Sequence, residues 1–498
     1  VNDAARTPVI VGVAQHRWRD LHPATAPDVA VRAAGVARAA ADDTGVGHRA
    51  IADVDAWVHV VGWQAQNPTD QIARLTGSRV RHHFSSGSGG EVGVVTANWA
   101  ARAIAAGELD SVMVTGGTDY RTRMKAAKLG VDYHDPQGGE GSHEVLVPRK
   151  PASSDIEIAH QLEQPIQIYP VFENALRAKK GRTIEEHRRV VGDLMSSFTA
   201  VAATNPYAWF PTERTADDLT TPTADNRMIG FPYTKRLNAI LDVDLNGAYL
   251  MMSEARARSL GIAPDRYVYW WGGAAADEVA YFPSQRPDLA ATPSMQRSHR
   301  AALREAGIGM DDVDLIDFYS CFPVAVEMAC EILGLDTRDP RRFTLTGGLP
   351  YAGGPGSAYT MHSIAAMVGR VREQPEARAF VTGNGMWLSK HASSVWSGRP
   401  KPPSPTGTPP PEGTDLPEAP LPVTARPDGE GVIDGYTVLH DRAGEPAIGV
   451  VIGRLGSGER FVANVHGRDA LVELETVEGV GRRGTVRAGD PTNTFELS

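Results

Sequence analysis

Apolar and polar positions along this chain fall into blocks that predict strand–helix units. Pro8 to Val13 (PVIVGV) is a short apolar run closed by polar residues, which predicts a buried strand. Ala26 to Asp43 is alanine-rich and reads as a helix that stops near Gly45 and Gly47. Val54 to Val61 (VDAWVHVV) predicts a second strand. The stretch that organises the chain follows, from His83 to Asp119. A serine–glycine loop (Ser85 to Gly90) leads into a helix from Glu91 to Ala106, then a turn and a strand from Ser111 to Thr115. Only Glu91, Thr96, Asn98 and Arg102 are polar in that helix, and its apolar residues cover every face. A helix of this kind is expected to be buried on all sides, and it is too short to span a membrane. Its N-terminus gathers unpaired N–H groups and the positive end of the helix dipole, which suits a developing negative charge or a nucleophile. Ser86 stands where such a nucleophile would be.

From Tyr120 to about Tyr233 the chain is more polar, and Thr183 with Glu186 forms a capping box that predicts a helix from Thr183 to Ala203. This segment reads as an insertion. Core patterning resumes at Ala239 with ILDVD and LNGAYLMMSEARARSLG, a strand and a helix ended by Gly261, and Arg266 to Trp271 is another strand. The second half then repeats the first. AADDTGVGHRAIADVDAWVHV is echoed by AALREAGIGMDDVDLIDFYS, which sets Val54 against Val313. TANWAARAIAAGELDSVMVTGG is echoed by YTMHSIAAMVGRVREQPEARAFVTGNG, which sets Val114 against Val381. Two similar halves of strand–helix units predict an α/β core with pseudo-twofold symmetry. The expected domains are an N-terminal half (1–119 and 234–262), an insertion (120–233) and a C-terminal half (263–397). Eleven of the 35 prolines lie between Gly398 and Gly431, which marks 398–431 as an extended linker or strap. The remainder, 432–498, alternates apolar and polar residues between Gly, Pro and Asp turns. GYTVLH, AIGVVIG, RFVANV, ALVELETV and RRGTVRAG read as five strands of a small all-β barrel of the OB type.

Composition narrows the function classes. The chain of 498 residues is 42% apolar and 22% charged, like an ordinary globular protein with room for several domains. A formal charge of −10 argues against general nucleic-acid binding. From Gly431 onward the aromatics besides His are Tyr436, Phe461 and Phe495, too few for a stacking groove. There is no run of 18 apolar residues and no basic stretch ahead of the first apolar one, so neither a membrane span nor a signal peptide is expected, and the cytoplasm is the expected location. Cys321 and Cys330 provide no disulfide framework and no Cys-rich zinc site, and no metal is expected.

VIVGVAQ, the SGSG loop, GELDSVMVTGG, ENALRAKKGRTIEEHR with NPYAWF, LNGAYLMMSEARARSLGI, DFYSCF and TGGLPYAGGP follow one another over roughly residues 8–397. In that order they resemble the thiolase superfamily, and within it the thiolases related to sterol-carrier-protein thiolase. The resemblance implies a five-layered αβαβα core with an inserted loop domain, and CoA thioesters as ligands. The family pairs through edge strands of the core; the extra barrel and strap leave monomer and homodimer both open. Catalysis does not carry over. The family's nucleophilic Cys is matched by Ser86, in Ser86-Gly-Ser-Gly89, and a hydroxyl needs an adjacent base where a thiolate would not. The His of its Gly-His-Pro motif is matched by Gly354, in Gly353-Gly354-Pro355. Its second Cys falls on Val381 or Thr382, and the Asn or His that orients the catalytic water becomes Tyr319.

Three functions follow from these residues. The first is a thiolase-like protein that binds CoA or an acyl-CoA, with no covalently held cofactor, and would be labelled an acyltransferase by resemblance alone. The basic stretch Arg177, Lys179, Lys180 and Arg182 would meet the CoA phosphates, or would simply be a solvated helix end. The second is an acyl-CoA lyase or retro-aldolase of lipid or steroid side chains, with Tyr319 or Tyr351 as general acid; the alternative is that both tyrosines fill space. The third is a scaffold that meets a protein partner through the C-terminal barrel. Cys321 sits just before Pro323, a helix-start signal, so its thiol is either activated there or a core residue. His362 and His391 are read as hydrogen-bonded structural histidines.

Overall fold

A computed structural model describes residues 3–60, 66–133, 138–148 and 150–498; Val61, expected to end the second strand, lies outside them. The N-terminal half contains β1 (Pro8–Arg17), α1 (Val29–Asp43), β2 (Asp53–Val60), α2 (Pro68–Thr76), β3 (Arg79–Ser85), α3 (Val92–Ala106) and β4 (Ser111–Asp119). The insertion carries α4 (Tyr120–Leu129), β5 (Glu144–Val145), α5 (Asp155–Ala159), α6 (Pro165–Lys179), α7 (Ile184–Thr204), α8 (Ala216–Thr220), β6 (Met228–Gly230) and β7 (Tyr233–Thr234). Then β8 (Asp244–Ser253) and α9 (Glu254–Leu260) complete the first half. The second half contains β9 (Val268–Asp277), α10 (Pro293–Ala306), β10 (Leu315–Asp317), α11 (Pro323–Leu333), α12 (Tyr359–Glu373), β11 (Arg378–Gly385) and β12 (Lys390–Ser397).

These strands form one mixed sheet, ordered β10-β11-β12-β9-β1-β8-β4-β2-β3-β5. Outward from β1 come β8, β4 and β2; outward from β9 come the matching β12, β11 and β10. The register repeats as well. Val114 lies between Val58 and Tyr249, and Val381 lies between Asp317 and Ser394. Val58 and Asp317 each stand four residues past the Val of the repeated Val-Asp. Helix α1 packs on β1, β8 and β4, and α10 on β9 and β12, while α3 and α12 touch each other and strands of both halves. The two halves of the sheet are joined through the short β1–β9 pairing, Val9–Tyr269 and Ile10–Val268, and with α3 and α12 between them the layers run αβαβα.

Helix α3 departs from the expectation of burial on every face. Val95 and Trp99 are half-buried and Arg102 and Ala106 are exposed, a single stripe at helical spacing. Arg102 pairs with Glu305 at 2.8 Å and lies over the Trp270 ring, so one polar residue opens the stripe to water.

The last domain contains β13 (Asp428–His440), β14 (Pro446–Leu455), β15 (Arg460–Val465), α13 (Arg468–Thr476), β16 (Arg483–Arg487) and β17 (Thr494–Leu497). Pairings β13–β14, β14–β15, β15–β17, β17–β16 and β16–β13 close a five-stranded barrel. ALVELETV, expected as a strand, is helical from Ala470 to Thr476 in α13, with Val477 just past its end. Leu471 and Leu474, three apart, are buried, whereas Val472 and Val477 face solvent, so helical periodicity wins over alternation. The barrel's fifth strand is instead β17. The strap before the barrel runs antiparallel along α10, with Arg304, Arg300 and Arg297 paired in turn with Glu412, Asp415 and Glu418.

Candidate functional site

The N-terminus of α3 is where the sequence places the chemistry, and its geometry is set by four glycines. A Cβ on Gly90 would collide with the Tyr319 hydroxyl and the Asn384 carbonyl. On Gly89 or Gly385 it would collide with the Glu91 carboxylate, and on Gly383 with the Glu91 Cα. Bare backbone at these positions makes room for two side chains, Tyr319 and Glu91. Glu91 is the N-cap residue of α3 and only 2% exposed; its Oε1 lies 2.9 Å from Lys390 Nζ, and Lys390 is 3% exposed. Burial raises the Glu91 carboxyl, and Lys390 pulls it part of the way back. Sequence reasoning missed this pair, having treated Glu91 only as a polar residue of the helix. The available signal was an acidic residue opening an otherwise apolar helix, with a lone Lys in the serine-rich run SKHASS.

Ser86 is fully buried; its Oγ donates to Gly87 O at 2.8 Å and its N–H to His59 O at 3.1 Å. The loop bearing Gly354 lies against the same glycines, because Gly89 N–H donates to Ser357 Oγ at 3.1 Å. Gly354 N–H donates to Ile240 O at 2.8 Å. The structure therefore brings the Ser86 and Gly354 loops together. Tyr319 joins them through Gly90, and its N–H donates at 2.9 Å to Oγ1 of Thr382, one of the two positions, with Val381, that the family resemblance matched to a second Cys. Its ring meets Tyr359 edge-on at 5.3 Å. Burial holds the Tyr319 phenol far above its ordinary value, and Cys321, Tyr359 and Glu91 add to the shift.

Tyr351 has other surroundings. Its hydroxyl has no hydrogen-bond partner among the described residues, burial raises it, and Arg214 and Arg236 offset part of that rise. Behind Tyr319, Asn384 Nδ2 donates to Tyr169 Oη at 3.0 Å and lies 3.5 Å from Cys321 Sγ. Burial pushes the Cys321 thiol up to about 12, which is the behaviour of a core cysteine. His362 and His391 are buried and held neutral by desolvation.

The basic stretch on and after α6 is engaged elsewhere. Arg177 is buried and bonds both oxygens of Glu478, on the barrel, at 2.5 and 3.0 Å. Lys179 pairs with Asp288 at 3.1 Å, Lys180 with Glu331 at 2.9 Å, and Arg182 with Glu327 at 2.7 Å. Among the described residues, the prominent clefts are lined by none of Ser86, Tyr319, Tyr351 or Gly354.

One buried cluster has metal-ligand composition: Glu173, His187 and Glu327 hold ligand atoms within 4.8 Å of one another. Its hydrogen bonds argue against an ion. Arg182 can only donate, so at 3.2 Å from Nδ1 it makes that nitrogen the acceptor and leaves the proton on Nε2, aimed at Glu173 Oε1 at 2.6 Å. A metal at Nε2 needs the opposite tautomer.

Against known proteins, residues 414–490 match the family model of the thiolase-like protein type 1 additional C-terminal domain. A monomeric SCP2-thiolase-like protein type 1 from Mycobacterium smegmatis superposes with a TM-score of 0.82 at 32% identity, over 99% of both chains. The chain is a type 1 thiolase-like protein. The Ltp2–ChsH2(DUF35) aldolase shares the fold at a TM-score of 0.60 and 20% identity, over 79% of this thiolase-like chain and 98% of that one. Two enzymes align over shorter stretches. The acetyl-CoA acetyltransferase of Schizosaccharomyces pombe is 34% identical over 101 residues, 20% of this chain and 22% of that protein. The benzoylsuccinyl-CoA thiolase subunit BbsB of Thauera aromatica is 27% identical over 134 residues, 27% of this chain and 32% of that protein. The thiolase-like protein thus spans less than a third of either enzyme's length in these alignments.

Proposed function

We propose that this type 1 thiolase-like protein binds CoA or an acyl-CoA and does not carry out thiolytic cleavage. The observation that carries the reading is the end of α3, where the buried Glu91–Lys390 pair and the Tyr319 hydroxyl pack against the glycines that follow Ser86. The loop opposite supplies Gly354 and no imidazole. Support for the ligand class comes from the fold and from the CoA-dependent enzymes that align with parts of the chain. Within the basic stretch, Lys179 and Lys180 are 38% and 35% exposed, and a phosphate would take them by displacing their partners Asp288 and Glu331. Calorimetric titration with CoA tests this: saturable binding weakened by Lys180→Glu is expected, and absence of binding would overturn the reading.

A second reading, acyl-CoA cleavage with Tyr319 as acid, is favoured by the hydroxyl's place against Gly90 at the helix end. Tyr319→Phe should then abolish turnover of a 3-hydroxyacyl-CoA; unchanged turnover would remove this reading. We also propose that the chain is a monomer. Strand β5 pairs with the end of β3, and the rest of that edge is charged (Arg79, Arg81), which blunts strand-to-strand pairing. Light scattering should give 53.4 kDa.

A further inference from the structure

A groove of about 730 Å³ runs between α7 and α12, within the size range of small-molecule sites. None of the residues discussed at the end of α3 lines it. Its floor is made of small residues: Ala14 on β1, Ala200 on α7, and Ala365, Ala366 and Gly369 on α12. A Cβ added at Gly369 would meet nothing within 4 Å, so the groove reaches the helix backbone there. One wall is fixed by Asn205, whose Nδ2 donates to Thr346 O at 2.8 Å and whose Oδ1 accepts from Tyr207 N–H at 2.9 Å. That turn sets Tyr207, 37% exposed, along the groove.

The rim carries four arginines. Arg341 and Arg372 are fixed internally by Asp339 at 2.6 Å and Asp43 at 2.7 Å. Arg342 is exposed and has no ion pair among the described residues, and Arg370 has Glu373 at 3.6 Å. Two acids face the same space, Asp43 and Glu373. Asp43 is shared by Arg372 and Arg266, so the rim keeps a positive excess on a chain of formal charge −10. A floor of small side chains leaves room for a planar ring, a tyrosine face can stack on it, and the unpaired Arg342 guanidinium suits phosphate oxygens.

We infer that this groove is a second ligand site, for a nucleoside phosphate. The ligand is either a free nucleotide or the nucleotide end of a larger cofactor such as CoA. The full chain is titrated calorimetrically with AMP, adenosine, inorganic phosphate and CoA. AMP should bind saturably and more tightly than adenosine or phosphate. Arg342→Ala should weaken AMP about tenfold, the order expected for a charge-assisted contact. Gly369→Leu should abolish AMP binding by filling the floor. It should also leave the melting temperature unchanged or raised, because glycine inside a helix is unfavourable. Competition between CoA and AMP that is lost in Gly369→Leu assigns the site to the nucleotide end of CoA; AMP binding without competition assigns it to a free nucleotide. Absence of saturable AMP binding at concentrations of about 1 mM, or binding untouched by both substitutions, overturns the inference. CoA binding that survives both substitutions would leave the proposed function standing while the groove reading fails.

Discussion

Gly90 decides more at the end of α3 than Ser86 does. The sequence placed Ser86, Gly354 and Tyr319 near one another through motif order alone, and the structure gathers their loops around Gly89 and Gly90. It could not show why the loop and the end of β11 need four glycines between them, because the cause lies in Glu91 and Tyr319, which arrive from the helix end and from the distant loop after β10. Nor could it separate Tyr319 from Tyr351, which were equal candidates for the general acid but have different contacts. Replacement of Gly90 by Ala should cost about 1–3 kcal/mol, the usual price of overpacking, read as a lower urea midpoint. Adding Tyr319→Phe should not restore it, since the Asn384 carbonyl still blocks the methyl group. A Gly90→Ala protein as stable as the parent would show that this contact is not as described.

Among the elements, patterning was most reliable where period and length agreed. Helix α7 begins at the expected Thr183 cap with its Glu186 capping box, and β11 keeps the register anticipated from the repeat. ALVELETV was ambiguous because leucines three apart also read as alternation when mixed with valines. The Glu173–His187–Arg182–Glu327 network was invisible, since it joins α6, α7 and α11 across the insertion and the C-terminal half. Burial pushes Glu173 and Glu327 up to about 7 and His187 down to about 4. A carboxyl raised in the folded state holds a proton that the unfolded chain has released, so its contribution is lost as pH rises from about 4.5 to about 7. The depressed imidazole acts oppositely, losing its contribution as pH falls from about 6.5 to about 4. Two glutamates outweigh one histidine. Glu327→Gln should therefore flatten the decline in stability between about pH 5.5 and about pH 7.5, measured by urea unfolding at both values. An unchanged slope would mean that Glu327 does not titrate in this range.

On the scale of the whole molecule, the barrel is built into the core. Leu439 pairs with Gly230 of the insertion, and Asn174 Nδ2 donates to both Phe231 O and Tyr436 O at 3.0 Å. Arg177 is buried against Glu478 and the Tyr436 hydroxyl. The sequence showed a barrel and a proline-rich approach to it, but not this seam, because no local pattern in α6 distinguishes a helix that faces solvent from one that carries a second domain. Removing residues 428–498 would strand Arg177 and bare the α6 face, and the shortened chain should aggregate or lose its cooperative unfolding transition; a soluble fragment with the parent's melting temperature would contradict the seam. The proposed function is that this thiolase fold holds CoA compounds without cleaving them. Its most direct test is calorimetry in which acetoacetyl-CoA is injected into the protein with excess CoA, with the acyl-CoA pool then read by mass spectrometry. Saturable binding heat and an unchanged pool are expected. Continuous heat with acetyl-CoA forming at ordinary enzymic rates, roughly 1–1,000 per second, would contradict it.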